Sequence, residues 1–211
     1  MAHYPIDHSD TPIRLFKSDF MEFFTHINPW VIVIFWTPIA AWLLIASIQL
    51  TNGISLLRVA AGFLVGLFVW TLTEYTLHRF LFHYPPKTPR QEKIFFLFHG
   101  VHHAQPQCKT RLVMPLVLSI PMAAVFYGIF YFLFVYLLGA DVWFFSAFSG
   151  FLVGYLIYDL THYATHHFPM RSGYLKFIKR YHMQHHYKTP NQRYGVSSPL
   201  WDIIFHTRPV D

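Results

Sequence analysis

Charge is scarce in this chain. Only 12% of its 211 residues are Asp, Glu, Lys or Arg, while 54% are hydrophobic; a soluble domain carries roughly a quarter charged residues. That shortage excludes an ordinary water-soluble domain and points to a bilayer. Cysteine is nearly absent: Cys108 stands alone, which excludes an intramolecular disulfide and fits a reducing compartment. Several chemical signatures are also missing. There is no H-E-x-x-H for zinc proteolysis, no paired Glu-x-x-His of the soluble carboxylate di-iron bundles, and no nucleophile elbow, P-loop or dinucleotide fingerprint. A cleaved secretory leader is not expected either, because the first apolar run begins only at residue 30, behind a mixed-charge segment with no small-residue cleavage pattern.

What is present is a set of long apolar runs. A helix rising about 1.5 Å per residue needs about 20 mostly apolar residues to cross the hydrocarbon core. Four stretches qualify, at about 30–50, 54–80, 115–140 and 142–163. The expected fold is therefore all-α: an integral membrane protein of four transmembrane helices, with short helices forming a cytosolic cap. With a cytosolic N-terminus, segments 1–29, 78–111 and 163–211 fall on one side of the membrane. Fifteen of the sixteen Lys and Arg lie there and only Arg58 lies opposite, the bias expected of cytosolic loops. Topology alone accounts for the net charge of +6, so no nucleic-acid partner is expected, although the same charge would hold the cap against anionic lipid or an acidic protein.

The chain reads as an N-terminal cytosolic segment, 1–29, followed by a membrane-embedded domain, 30–211. Within 13–27, Ile13, Phe16, Phe20, Phe23, Phe24 and Ile27 recur at helical spacing, which predicts an amphipathic helix lying flat on the membrane. Prolines 85, 86 and 89 stop the second span in a turn. Short helices are expected over 91–103 and around the apolar stripe Tyr174, Phe177, Ile178 and Tyr181. Gly62 with Gly66, and Gly150 with Gly154, place small residues four apart in two spans, the spacing that lets helix backbones approach closely in lipid.

Those two spans also end in histidines. Ten of the fifteen histidines fall in four short windows: His78 and His83; His99, His102 and His103; His162 and His166; His182, His185 and His186. Imidazole is the commonest protein ligand for first-row transition metals, and ligands three or four apart on a helix point to one side. The gap of five between His78 and His83 breaks that rule, so either the helix end unwinds there or the two serve different metals. His3, His8, His26, His167 and His206 lie outside the windows and are read as ordinary histidines, with His167 and His206 near enough to support the site. An acid inside a membrane helix is costly and functional by default. Glu74 lies one turn before His78 and Asp159 three residues before His162, each placed to accept the other ring N–H of a ligand. Ten ligands exceed one ion and fit two. An all-imidazole pair suits dioxygen activation by iron, since zinc has no redox chemistry to offer, although zinc could occupy a purified sample.

The strings EYTLHRFLFH from Glu74, HGVHH from His99, GYLIYDLTHYATHH from Gly154, LKFIKRYHMQHH from Leu175 and YGVSSPLWDIIF from Tyr194 resemble the fatty acid 2-hydroxylases of the fatty acid hydroxylase and sterol desaturase superfamily. The likeness runs from about Glu74 to Thr207. It implies insertion of one oxygen atom at carbon 2 of a long acyl chain, usually the N-acyl chain of a ceramide or dihydroceramide. It also implies a two-metal site on the ten matched histidines and electrons from a cytochrome b5-like or ferredoxin-like donor. Some members carry that donor as a fused N-terminal haem domain; with about thirty residues before the first span, a separate donor is expected here. Cys108 stands where the resemblance leads us to expect an acid, and His206 where it leads us to expect glycine. Rival readings are a sterol oxidase or carotenoid hydroxylase of the same superfamily and, from another class, a metal-binding transporter or sensor. A transporter would want ligands near mid-membrane, whereas these lie at span ends. The chain carries no dilysine or KDEL-type signal, and its modest length favours a bacterial inner membrane over the endoplasmic reticulum.

Overall fold

The computed structural model describes residues 6–50 and 56–209, and among these the secondary structure is entirely helical. His3 and the first residues of the second predicted span lie outside the described residues. In chain order the elements are α1 (Asp19–Phe23), α2 (Pro29–Leu50), α3 (Leu56–Thr76) continued by a π-wound turn (Leu77–Phe82), and α4 (Pro89–Phe95). A second π-wound turn (Phe96–Gly100) leads into α5 (Val101–Ala104). Then come α6 (Leu116–Phe130) with a third π-wound segment (Tyr131–Leu137), α7 (Asp141–His167), α8 (Gly173–Tyr187) and α9 (Leu200–Ile204). Four helices among the described residues are long and apolar enough to cross a membrane: Pro29–Leu50, Leu56–Phe82, Leu116–Leu137 and Asp141–His167.

The described chain divides into two compact units. One, of 29–71 and 114–157, holds most of the apolar helical length. Its best-buried helix is α7: 67% of its apolar stretch is buried, against 28%, 22% and 11% for the other three spans, so the others face outward and expose residues such as Ile34, Trp42, Leu64 and Val125. In a bilayer that outward face meets acyl tails at no cost. The two glycine pairs meet across α3 and α7: a Cβ on Gly66 would fall on the Ala147 carbonyl, and one on Gly150 on the Phe63 carbonyl. The backbones therefore touch. Polar side chains tie the remaining spans, since lipid offers no alternative partner: the Ser149 hydroxyl donates to the Ala40 carbonyl at 2.7 Å and Trp36 Nε1–H to Ser119 at 3.2 Å.

The second unit contains 6–28, 72–113 and 158–209. The N-terminal segment belongs to it through hydrogen bonds rather than as a separate piece. Asp7 N–H donates to the Ala104 carbonyl at 2.8 Å and Ile27 N–H to the Thr110 carbonyl at 2.8 Å. The Gln105 side chain accepts from Ile13 N–H and donates to Asp7 and to the Thr11 carbonyl, while Arg111 pairs with Glu22. This segment corrects one expectation. Over 13–27 only Asp19–Phe23 is helical: Leu15 and Phe16 N–H go to the Glu22 carboxylate, and Ile13 and Ile27 N–H to the Gln105 side chain and the Thr110 carbonyl. Phe20 and Phe23 still stand 73% exposed, an aromatic edge suited to the membrane interface.

Candidate metal centre

The ten window histidines all come together, and they sort into two groups of five. His78, His83, His99, His103 and His185 form one; His102, His162, His166, His182 and His186 form the other, with the five candidate ligand atoms of each group within 4.8 Å of one another. All but His103 are buried. Local winding explains the sorting. The turn after α3 is π-wound, with His83 N–H donating to the His78 carbonyl five residues back at 3.0 Å, and a five-residue turn stacks residues that a regular helix would splay apart. The five-residue gap is thus resolved by unwinding, and both imidazoles enter the same group. On α7 and α8 the regular i,i+4 spacing delivers His162 with His166 and His182 with His186 to the second group. Neighbours in sequence point about 100° apart on a helix, so His102 and His103, like His185 and His186, part to different groups.

Within each group the Nε2 atoms are spaced as ligands of one ion. In the first, His78–His99, His78–His83, His99–His103 and His83–His185 are separated by 3.1, 3.1, 3.0 and 3.0 Å. In the second, His162–His102, His102–His186, His186–His182 and His182–His166 are separated by 2.9, 3.0, 3.0 and 2.9 Å. Nitrogens at right angles around a metal, each about 2.1 Å from it, lie about 3.0 Å apart. At two positions of the first group the tautomer is fixed, and the proton is turned away from the other rings. His78 Nδ1 lies 2.5 Å from the Tyr194 carbonyl and His185 Nδ1 2.6 Å from the Gln192 carbonyl. A carbonyl only accepts, so in the neutral ring the single proton sits on Nδ1 and Nε2 is a bare lone pair. Those two lone pairs face the other imidazoles of the group, an arrangement that could hold a cation. Burial presses the same way: it lowers the pKa of His83, His99, His102, His103, His182, His185 and His186 well below the ordinary imidazole value, with neighbouring imidazoles adding to the effect at most of these positions, so they stand neutral and able to ligate.

The two acids are buried, but Glu74 does not take the ring proton of His78. It accepts instead from Val196 N–H at 2.7 Å, from Ser197 N–H at 2.8 Å and from the Ser197 hydroxyl. The partner of His78 is a backbone carbonyl, which no sequence pattern marks. Asp159 lies buried on α7, three residues before His162. His167 and His206 join neither group. His26 is held structurally between Thr110 and Glu22, and His8 stacks on Tyr187 with ring centroids 6.3 Å apart. Sequence reasoning missed the loop 192–197 and Asp202 behind it. An acid in the apolar string LWDIIF was the available signal.

Four apolar helices with two five-imidazole groups define a helical membrane protein whose clustered histidines could hold two metal ions. The chain belongs to the fatty acid hydroxylase family, whose family model matches residues 63–207. It is 37% identical over 207 residues to a dihydroceramide fatty acyl 2-hydroxylase of Arabidopsis thaliana, covering 98% of this chain and 84% of that protein. It is 38% identical to a ceramide very long chain fatty acid hydroxylase of Schizosaccharomyces pombe, covering 90% of this chain but only 53% of the relative. Among solved structures, that of full-length Scs7p, in which only the hydroxylase domain is visible, superposes with a TM-score of 0.82 at 36% identity, over 91% of this chain and 70% of that one.

Proposed function

We propose that this protein hydroxylates carbon 2 of a long acyl chain, the N-acyl chain of a ceramide or dihydroceramide, at a two-metal centre made by His78, His83, His99, His103 and His185 and by His102, His162, His166, His182 and His186. The observation that carries the reading is the sorting of ten imidazoles into two converging groups of five in a chain of this family. Iron is the expected metal. With it bound, the centre supplies dioxygen activation: one oxygen atom enters the C–H bond, the other leaves as water, and two electrons and two protons come from outside. The residues supply the rest. They hold neutral imidazoles at fixed spacing, and Asp159 is placed to orient His162. The helices that carry His78, His162 and His166 bring them to the ends of spans, which suits a reaction beside a polar amide at the interface. Carbon 2 lies at that depth when the tail remains in hydrocarbon.

Electrons are expected from a separate donor, either cytochrome b5-like or ferredoxin-like. The basic residues of 78–111 and 163–211 offer such a protein a face of opposite charge. The positive-inside bias supports placing both termini and the centre in the cytosol. The relatives named above are plant and yeast proteins, so the expectation of a bacterial inner membrane draws no support from them, and the endoplasmic reticulum fits them better.

The test is expression in a host lacking acyl 2-hydroxylation. Mass spectrometry should find sphingolipid acyl chains that gain one oxygen, confined to carbon 2. Changing any one of the ten histidines to Ala should abolish the product while the protein still accumulates in the membrane. Full product from several such variants would overturn the assignment.

A further inference from the structure

Four consecutive backbone N–H groups, of residues 194 to 197, are taken by two buried carboxylates. Asp202 holds the first two: Oδ1 accepts from Tyr194 N–H at 2.9 Å and Oδ2 from Gly195 N–H at 2.7 Å. Glu74 holds the next two. The other edge of the same stretch faces the histidines, with the carbonyls of Gln192 and Tyr194 meeting Nδ1 of His185 and His78. Both are members of the first group. Asp202 is itself fully buried and fixed from behind: the Thr207 hydroxyl donates to Oδ1 at 2.6 Å, and Tyr75 Oη lies 3.0 Å from that hydroxyl. The approach is close enough to require glycine at 195, where a Cβ would fall on the Ser198 carbonyl and lie 3.0 Å from Asp202 Oδ2.

The second group has no such support from this loop. Nδ1 of His102, His166, His182 and His186 is buried without a hydrogen-bond partner among the described residues, as is Nδ1 of His83 in the first group, so the loop's support falls on His78 and His185 alone. An acceptor on the outer nitrogen of a ligand imidazole fixes its tautomer and orientation and makes it a better donor to metal. We infer that Asp202 is a positioning residue for one metal of the two: through the 192–197 loop it sets His78 and His185, so its loss weakens the first site and spares the second. This rests on the two-metal reading of the ten histidines.

The experiment measures zinc, which binds without redox chemistry, held by the purified full chain after equilibration with graded chelator. The wild type should hold two ions, and a wild type that holds fewer overturns the two-metal reading itself. Asp202→Asn presents an amide N–H to one of the three donors that now meet a carboxylate oxygen. It should weaken one ion by about 10–100-fold and leave the other at wild-type affinity. Adding His83→Ala should remove only the already weakened ion, whereas adding His166→Ala should leave no tightly held ion. Thr207→Val makes the same test with a smaller change should Asp202→Asn fail to accumulate, and Thr207→Ser, which keeps the hydroxyl, should restore wild-type binding. Two ions at wild-type affinity in both Asp202→Asn and Thr207→Val, or equal weakening of both ions, would overturn the inference.

Discussion

Among the described residues, two outside glycine adopt left-handed backbone: Arg193, with φ 58°, and His206, with φ 54°. Arg193 is 3% exposed and its N–H donates to the Thr207 carbonyl at 3.1 Å, so its conformation belongs to the closure of the loop onto α9. His206 is exposed and ends α9 where the family resemblance leads us to expect glycine, and its φ supplies the reason. A side chain there costs about 1 kcal/mol that glycine avoids. His206→Gly should therefore raise the thermal midpoint by about 2–4 °C and leave hydroxylation unchanged; a lowered midpoint would show that the imidazole has a structural role. At this scale the sequence was readable where side-chain chemistry acts and silent where backbone acts. The ten imidazoles announced themselves by type and spacing. Tyr194 and Gln192 contribute only carbonyls, which every residue has, so no reading of residue types could have found them. Glu74 was visible as a costly buried acid, but its partner was assigned to the histidine one turn away because the loop that claims it lies more than a hundred residues along the chain.

At the scale of elements, the spans were legible because long apolar runs leave a helix little choice in lipid. Observed bounds of Pro29–Leu50 and Asp141–His167 extend the expected 30–50 and 142–163 by at most a turn. The π-wound turn at Leu77–Phe82 was half legible, because the five-residue gap between His78 and His83 offered an unwound helix end as one of two readings. The π-wound segment at Tyr131–Leu137 carries no histidine and left no mark in the sequence. The glycine pairs were legible as spacing, and the structure gives them their partners. Gly66 and Gly150 oppose backbone, which cannot swing aside as a side chain can. Gly66→Ala and Gly150→Ala should each destabilise the protein by about 1–3 kcal/mol, read as a lower midpoint in detergent. Gly128, with nothing within 4 Å of an added Cβ, is the control: Gly128→Ala should be neutral or slightly stabilising, since alanine is the better helix former. Equal effects at all three positions would remove the close-approach argument.

At the scale of the molecule, the fold concentrates ten imidazoles in one of its two compact units, and burial there has a consequence in acid. The ordinary imidazole pKa is about 6.5; in the folded chain His83, His99, His102, His103, His182, His185 and His186 are held well below it. The unfolded chain therefore binds more protons than the folded one as pH falls below about 6.5, and stability falls with it. The contribution is fully present above that value and is lost as pH drops toward the folded-state pKa values. A bound metal acts in the same sense, because it too requires unprotonated nitrogens and adds stability in proportion to its binding. Metal-loaded protein should accordingly melt higher than chelated protein at neutral pH, and its acid-induced loss should begin at lower pH. In the metal-free chain the midpoint should decline progressively below about pH 6.5, and in the loaded chain release of metal should accompany the decline. Thermal midpoints and metal content measured side by side between about pH 7.5 and 5 check this. A midpoint flat across that range with the metals removed would mean that the imidazoles titrate in the fold as they do in water, and the converging neutral lone pairs on which the metal centre rests would have to be abandoned.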